Sequence, residues 1–109
     1  MTRKLDENGI AEVIVSVLPA DVARELTFER DSIRYAVRGE GLKLRKIVFK
    51  RASLRRLAED PHGAIKIEYL QKELLSVATQ RCEFRYPRPL THVAARKAFG
   101  LTMPLMQAR

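Results

Sequence analysis

One cysteine, Cys82, stands among 109 residues, with no tryptophan and an aromatic content of 6%. A lone thiol excludes an intrachain disulfide and points to a reducing compartment. No apolar leader follows Met1, since Thr2-Arg3-Lys4-Leu5-Asp6-Glu7-Asn8-Gly9 is polar, so a cytoplasmic location is expected. The longest apolar stretch, Val13 to Leu18, is interrupted by Ser16. It falls far short of the ~20 residues that a membrane helix needs. There is no internal repeat, low-complexity tract or Gly/Ser linker.

Chemistry-bearing clusters are also scarce. His62, His92 and Cys82 share neither CxxC nor HxxxH spacing, so no metal or other cofactor is expected. Gly39-Glu40-Gly41 has Leu44 where a dinucleotide loop needs its third glycine, and it precedes a strand pattern, which makes it a turn. Catalysis would require a pocket joining His62 or His92 to Cys82 or a carboxylate, and the chain is read as a non-enzyme. No RRM, KH, zinc-finger or helix-turn-helix signature is present.

What is present is enough apolar residue to build a core. At 46% hydrophobic, a chain of this length buries roughly two thirds of its unfolded surface. A single α+β domain over residues 1–102 is expected, with 103–109 as a flexible tail. Ala11 to Leu18, rich in valine and isoleucine and followed by Pro19, reads as a strand. Arg24 to Arg30 alternates, with Leu26 and Phe28 apolar, and Ser32 to Arg38 repeats the pattern with Ile33, Tyr35 and Val37. The short Glu29 to Ser32 connection fits a hairpin turn. The Gly39–Gly41 turn leads into a strand over Leu42 to Lys50. Its phase slips at Lys46, which implies a bulge there or burial of both faces beyond it.

Ser53 is placed to cap a short helix, Leu54 to Glu59, that Asp60-Pro61 and Gly63 end. Ile65, Ile67 and Tyr69 alternate like a strand, yet Ile67, Leu70, Leu74, Val77 and Ala78 share one face of a helix. The reading is a short strand passing into a helix over Leu70 to Arg81, with residues 64–70 open to either. Glu68 and Lys72 are spaced for a helical ion pair. Glu83 to Tyr86 makes a last strand before Pro87. Thr91 then caps a helix over His92 to Phe99, closed by Gly100. The predicted fold is α+β: an antiparallel meander of about four strands packed on one face by two helices.

The net charge is +8, and it is unevenly distributed. Met1 to Asp31 and Ala58 to Glu83 are both net acidic. The excess lies in Ser32 to Leu57 and in Phe84 to Arg109. On the hairpin, Arg34, Arg38, Lys43 and Arg45 are expected to project from the wet face, extended by Lys50, Arg51, Arg55 and Arg56. Arg85, Arg88, Arg96 and Lys97 form the second basic group. Strands ~5 Å apart place such side chains near the spacing of phosphates.

These twelve residues define a candidate surface for an acidic partner, nucleic acid foremost; an acidic protein or anionic membrane fits the same charge. The bland reading is a solvated hairpin, its cations blunting an edge strand or neutralised by carboxylates from the first third. Aromatic stacking has little support. Tyr35, Phe28 and Phe49 fall on the core phase, and only Tyr86 has basic neighbours on both sides. Lys50-Arg51-Ala52-Ser53 also matches a basophilic kinase pattern, but a capping role accounts for Ser53 more simply. The alternative function is a protein-interaction or oligomer-forming domain, with Ala11 to Leu18 or Leu70 to Arg81 as its apolar face.

Overall fold

A computed structural model of the chain describes residues 5–88. The elements run α1 (Glu7–Val15), β1 (Ala23–Phe28), β2 (Ser32–Arg38), β3 (Lys46–Lys50), α2 (Arg51–Glu59), α3 (Gly63–Val77) and β4 (Glu83–Tyr86). The class is α+β. The predicted helix over His92 to Phe99 and the tail 103–109 lie outside the described residues.

The first element is a helix where a strand was expected. Asp6 caps it, its carboxylate accepting the Gly9 N–H at 2.8 Å, which satisfies one of the unpaired donors of the first turn. Ile10, Ala11, Ile14 and Val15 are buried, and Leu18 continues the same stripe. Valine and isoleucine cost a helix only a few tenths of a kcal/mol each. Burying one such side chain contributes about 1.5–3 kcal/mol, so packing overrides propensity.

β1 and β2 form an antiparallel hairpin, closed by the Glu29 N–H donating to Ser32 O at 2.9 Å. β2 pairs antiparallel with β3. Between them Gly41 takes φ 77, in the left-handed region that glycine adopts without strain. The expected phase slip is real: the N–H groups of Arg45 and Lys46 both converge on Cys82 O, as in a bulge. Beyond it Ile47, Val48 and Phe49 are all buried. The strand therefore starts at Lys46, and Leu42 and Leu44 lead into it as buried coil.

The sheet order is β1-β2-β3-β4, but it is mixed, because β4 runs parallel to β3. The antiparallel meander is thus corrected. Two helices separate β3 from β4, which supplies the long crossover that a parallel pairing requires. Among the described residues three helices, not two, cover the sheet.

α2 begins at Arg51, with Lys50 as its cap and no capping side chain. Ser53 is therefore not the cap; it lies inside the helix, buried. α3 is helical from Gly63, so the alternation of Ile65, Ile67 and Tyr69 does not mark a strand. The five apolar residues read as one helical face do pack inward: Leu70, Leu74 and Ala78 are buried, and Ile67 and Val77 lie against the core. At the corner between α2 and α3 a side chain on Gly63 would meet Leu57 O at 2.5 Å, so only glycine fits that approach.

Phe49 is fully buried at the centre of the core, edge-on to Tyr35 and Phe84 with ring centroids 6.2 and 6.4 Å away. Tyr35 reaches past it to α1, donating its hydroxyl proton to Glu12 Oε2 at 2.8 Å. Burial raises the hydroxyl pKa well above the ordinary tyrosine range, and the Glu12 hydrogen bond and charge add to the effect.

Replacing Asp6 by alanine should lower stability by about 1 kcal/mol, read from chemical denaturation. Tyr35→Phe should cost about as much near neutral pH. Because the folded state raises the tyrosine pKa, the stabilisation is complete below the unfolded value of about 10 and fades as pH rises above it. The gap between wild type and Tyr35→Phe should close in strong alkali; a constant gap would contradict the assignment.

Candidate nucleic-acid interface

Residues opposite one another in a ladder share a face, so the register sorts every strand residue to one side or the other. One side carries Ile33, Tyr35 and Val37 of β2, Ile47 and Phe49 of β3, and Phe84 of β4, all within the core. The other carries Glu25 and Thr27 of β1, Arg34 and Arg38 of β2, Lys46, Val48 and Lys50 of β3, and Glu83 and Arg85 of β4. The three helices contribute their buried residues to the core cluster, and among the described residues no helix covers this second side.

The open face holds five cations against two carboxylates. Val48, in its middle, is only 8% exposed. It pairs with Arg34 on one side and Arg85 on the other, whose aliphatic stems can shield it while their heads stay in water. A depression of about 490 Å³ runs over this region, lined by the cations Arg34, Lys50, Arg85 and Arg88 and by the carboxylates Glu29 and Asp31. No aromatic ring lies among the strand residues of this face; Tyr86 only borders the depression.

Of the residues expected from sequence, Arg34, Arg38, Lys50 and Arg85 come together on this surface. Lys46, not counted among them, joins them. Counting the alternation backward from Phe49 past the slip would have assigned it there. Lys43 and Arg45 do not project from the strand face as expected. They precede β3, where the N–H of Lys43 donates to Ala78 O and that of Arg45 to Cys82 O. The Arg45 guanidinium donates to Leu42 O at 2.5 Å and Leu44 O at 3.0 Å. With Arg24 and Arg38 it lines a second depression, of about 440 Å³, at the end of the sheet.

Arg51, Arg55 and Arg56 belong to α2 on the helical side and do not extend the patch. Glu7 of α1 takes Arg55 at 2.9 Å and Arg51 at 3.5 Å. Arg51 also donates to Glu29 O and lies 5.7 Å from the Phe28 ring centroid. Arg96 and Lys97 lie outside the described residues.

Carboxylates from the first third do neutralise part of the basic excess. Besides Glu7, Glu29 pairs with Arg34 at 3.4 Å. From later in the chain Glu83 pairs with Lys46 at 3.7 Å and with Arg85, and Glu73 pairs with Arg88. Among the described residues Arg38 and Lys50 make no ion pair. All 13 carboxylates fall within residues 5–88, whereas Arg3, Lys4, Arg96, Lys97 and Arg109 of the 21 basic residues fall outside.

The other sequence candidates stay apart. His62 sits at the α2–α3 corner, its N–H donating to Asp60 Oδ1 at 2.7 Å. Lys66 donates to the same carboxylate, which lowers the Asp60 pKa and raises that of Lys66. Among the described residues Glu68 and Lys72 make no ion pair. Cys82 is exposed, and no group of His, Cys, Asp and Glu suited to a metal occurs among the described residues. No helix there is long and apolar enough to cross a membrane.

No protein-family model, curated protein or solved structure matches this chain.

Glu7→Gln should lower stability by about 1 kcal/mol, because its pair with Arg55 is largely exposed and its pair with Arg51 only part-buried. The difference should shrink as salt rises. A loss that high salt leaves untouched would mean that Glu7 acts through packing.

Proposed function

We propose that this chain is a small non-enzymatic module that binds the phosphate backbone of nucleic acid on the open face of its sheet. One observation carries the reading: Arg34, Arg38, Lys46, Lys50 and Arg85 all lie on the face the helices leave uncovered. Strands lie ~4.8 Å apart and same-face neighbours along a strand ~6.8 Å, a grid close to phosphate spacing. The Glu29–Arg34 pair is exposed, and pairs of this kind are worth only about 0–1 kcal/mol, so a phosphate can replace that carboxylate at little cost. The Glu83 oxygen that faces Lys46 and Arg85 is buried, so Glu83 stays in place beneath those two cations.

The absence of rings among the strand residues of this face argues against base stacking as the source of affinity. Contacts would go to phosphates, which position a protein without reading sequence. Binding should be indifferent to sequence and steep in salt. The apolar faces first considered for an interaction module, Ala11 to Leu18 and Leu70 to Arg81, are mostly spent in the core.

If about five phosphates are contacted, the slope of log K on log salt is about −4.5, a loss of roughly 500-fold between 50 and 200 mM. Fluorescence anisotropy with a random-sequence oligonucleotide measures this directly. Arg38→Glu with Lys50→Glu should weaken binding more than tenfold, whereas Arg55→Gln, on the helical side, should leave it within twofold. Binding that resists both salt and the double reversal would defeat the proposal.

A further inference from the structure

β1 is an outer strand whose far edge has no partner among the described residues. The hairpin fixes which groups are spare. The Glu29 N–H donates to Ser32 O, so Glu29, Thr27, Glu25 and Ala23 direct their backbone groups toward β2. Arg24, Leu26 and Phe28 must then direct theirs outward. Their side chains lie on the core side of the sheet at the margin of the helical layer, where Arg51 of α2 covers one face of the Phe28 ring: Leu26 is 40% exposed and Phe28 54%. Natural edge strands are commonly blunted by proline, lysine or a bulge. Ala23–Phe28 contains neither proline nor lysine, and its register is unbroken; its charges are Arg24 on the core side and Glu25 on the other, one of each sign.

We propose that β1 pairs antiparallel with β1 of a second copy, about a two-fold axis at Leu26. In that register Leu26 faces Leu26 of the partner subunit, and Arg24 faces Phe28 of the partner subunit. All three outward-facing residues of each strand then meet outward-facing residues, so every spare N–H and C=O on the edge is used. The side chains agree with the backbone. Glu25 falls opposite Thr27 of the partner subunit, and Arg24 lies beside an aromatic ring, a favourable neighbour for a guanidinium.

Shifting by two residues either way loses backbone pairs and juxtaposes like charges. One shift sets Glu25 against Glu25 of the partner subunit, and the other sets it against Glu29 of the partner subunit. The favoured register also makes the exposed Leu26 and Phe28 of both copies one apolar stripe. Two four-stranded sheets become one, with all helices on one side and both basic faces on the other.

Sedimentation equilibrium on nucleic-acid-free protein, from low micromolar to near-millimolar concentration, should show a monomer–dimer equilibrium. Leu26→Pro removes an outward N–H that the β2 ladder does not use, a site where an edge strand accepts proline. It should abolish the dimer while circular dichroism shows a folded chain. Thr27 is exposed on the polar face, so its variants test the register without touching the core. Thr27→Lys, opposite Glu25, should tighten the dimer roughly tenfold, and Thr27→Glu should weaken it by as much. A monomer at every concentration would overturn the proposal. So would a dimer that ignores the Thr27 charge, since the interface would then lie elsewhere.

Discussion

The one-sided burial of the sheet governs the rest of the molecule. β2 alternates apolar residues with polar, basic or small ones, β3 carries a lysine at each end of a buried Ile47-Val48-Phe49 run, and the described helices pack on the side of Ile47 and Phe49. Phe49 is the centre of that contact, with Ile33, Tyr35, Ile47 and Phe84 around it in the core. The cations then fall on the opposite side because of strand geometry. A pleated strand that sends Tyr35 inward must send Arg34 and Ala36 outward. The basic face is a consequence of the core, and a change that shifted the β2 register by one residue would destroy both together.

The sequence was most legible where local pattern and tertiary packing agree. The β1–β2 hairpin, the glycine turn at Gly41, the slip at Lys46 and the end of α2 near Asp60 all follow from alternation and turn residues. α1 was misread because its β-branched run satisfies a strand template, while the decisive signals were Asp6 as cap and the helical spacing of Ile10, Ile14 and Leu18. The direction of β4 was not legible, because four residues such as Glu83–Tyr86 pair either way. The helical segments between it and β3 give the length for a parallel crossover without requiring one.

The candidate surface was legible in part for a related reason. Arg34, Arg38, Lys50 and Arg85 lie on regular strand phase, so counting assigns them. Lys43 and Arg45 lie before the bulge, where counting fails. Arg51, Arg55 and Arg56 fall after a strand-to-helix junction without a capping side chain to announce it. Leu26 and Phe28 sit on the apolar phase yet remain exposed, since alternation reports a side of the sheet and not how far the helical layer reaches. The ion pairs with Glu7, Glu29 and Glu83 are contacts of folded geometry that only coordinates reveal. They divide the basic residues into a helical-side set held by Glu7 and a sheet-side set in which Glu29 and Glu83 hold Arg34, Lys46 and Arg85, while Arg38 and Lys50 make no ion pair among the described residues.

The central claim is that the uncovered side of the sheet is the one that meets a polyanion. An amide-resolved NMR titration with a short random-sequence oligonucleotide tests it most directly. The account predicts the largest shifts at Arg34, Arg38, Lys46, Lys50 and Arg85, with Ile10, Leu57 and Leu74 of the helical layer nearly unmoved. Shifts centred on α2 and α3, with the strand residues silent, would contradict it.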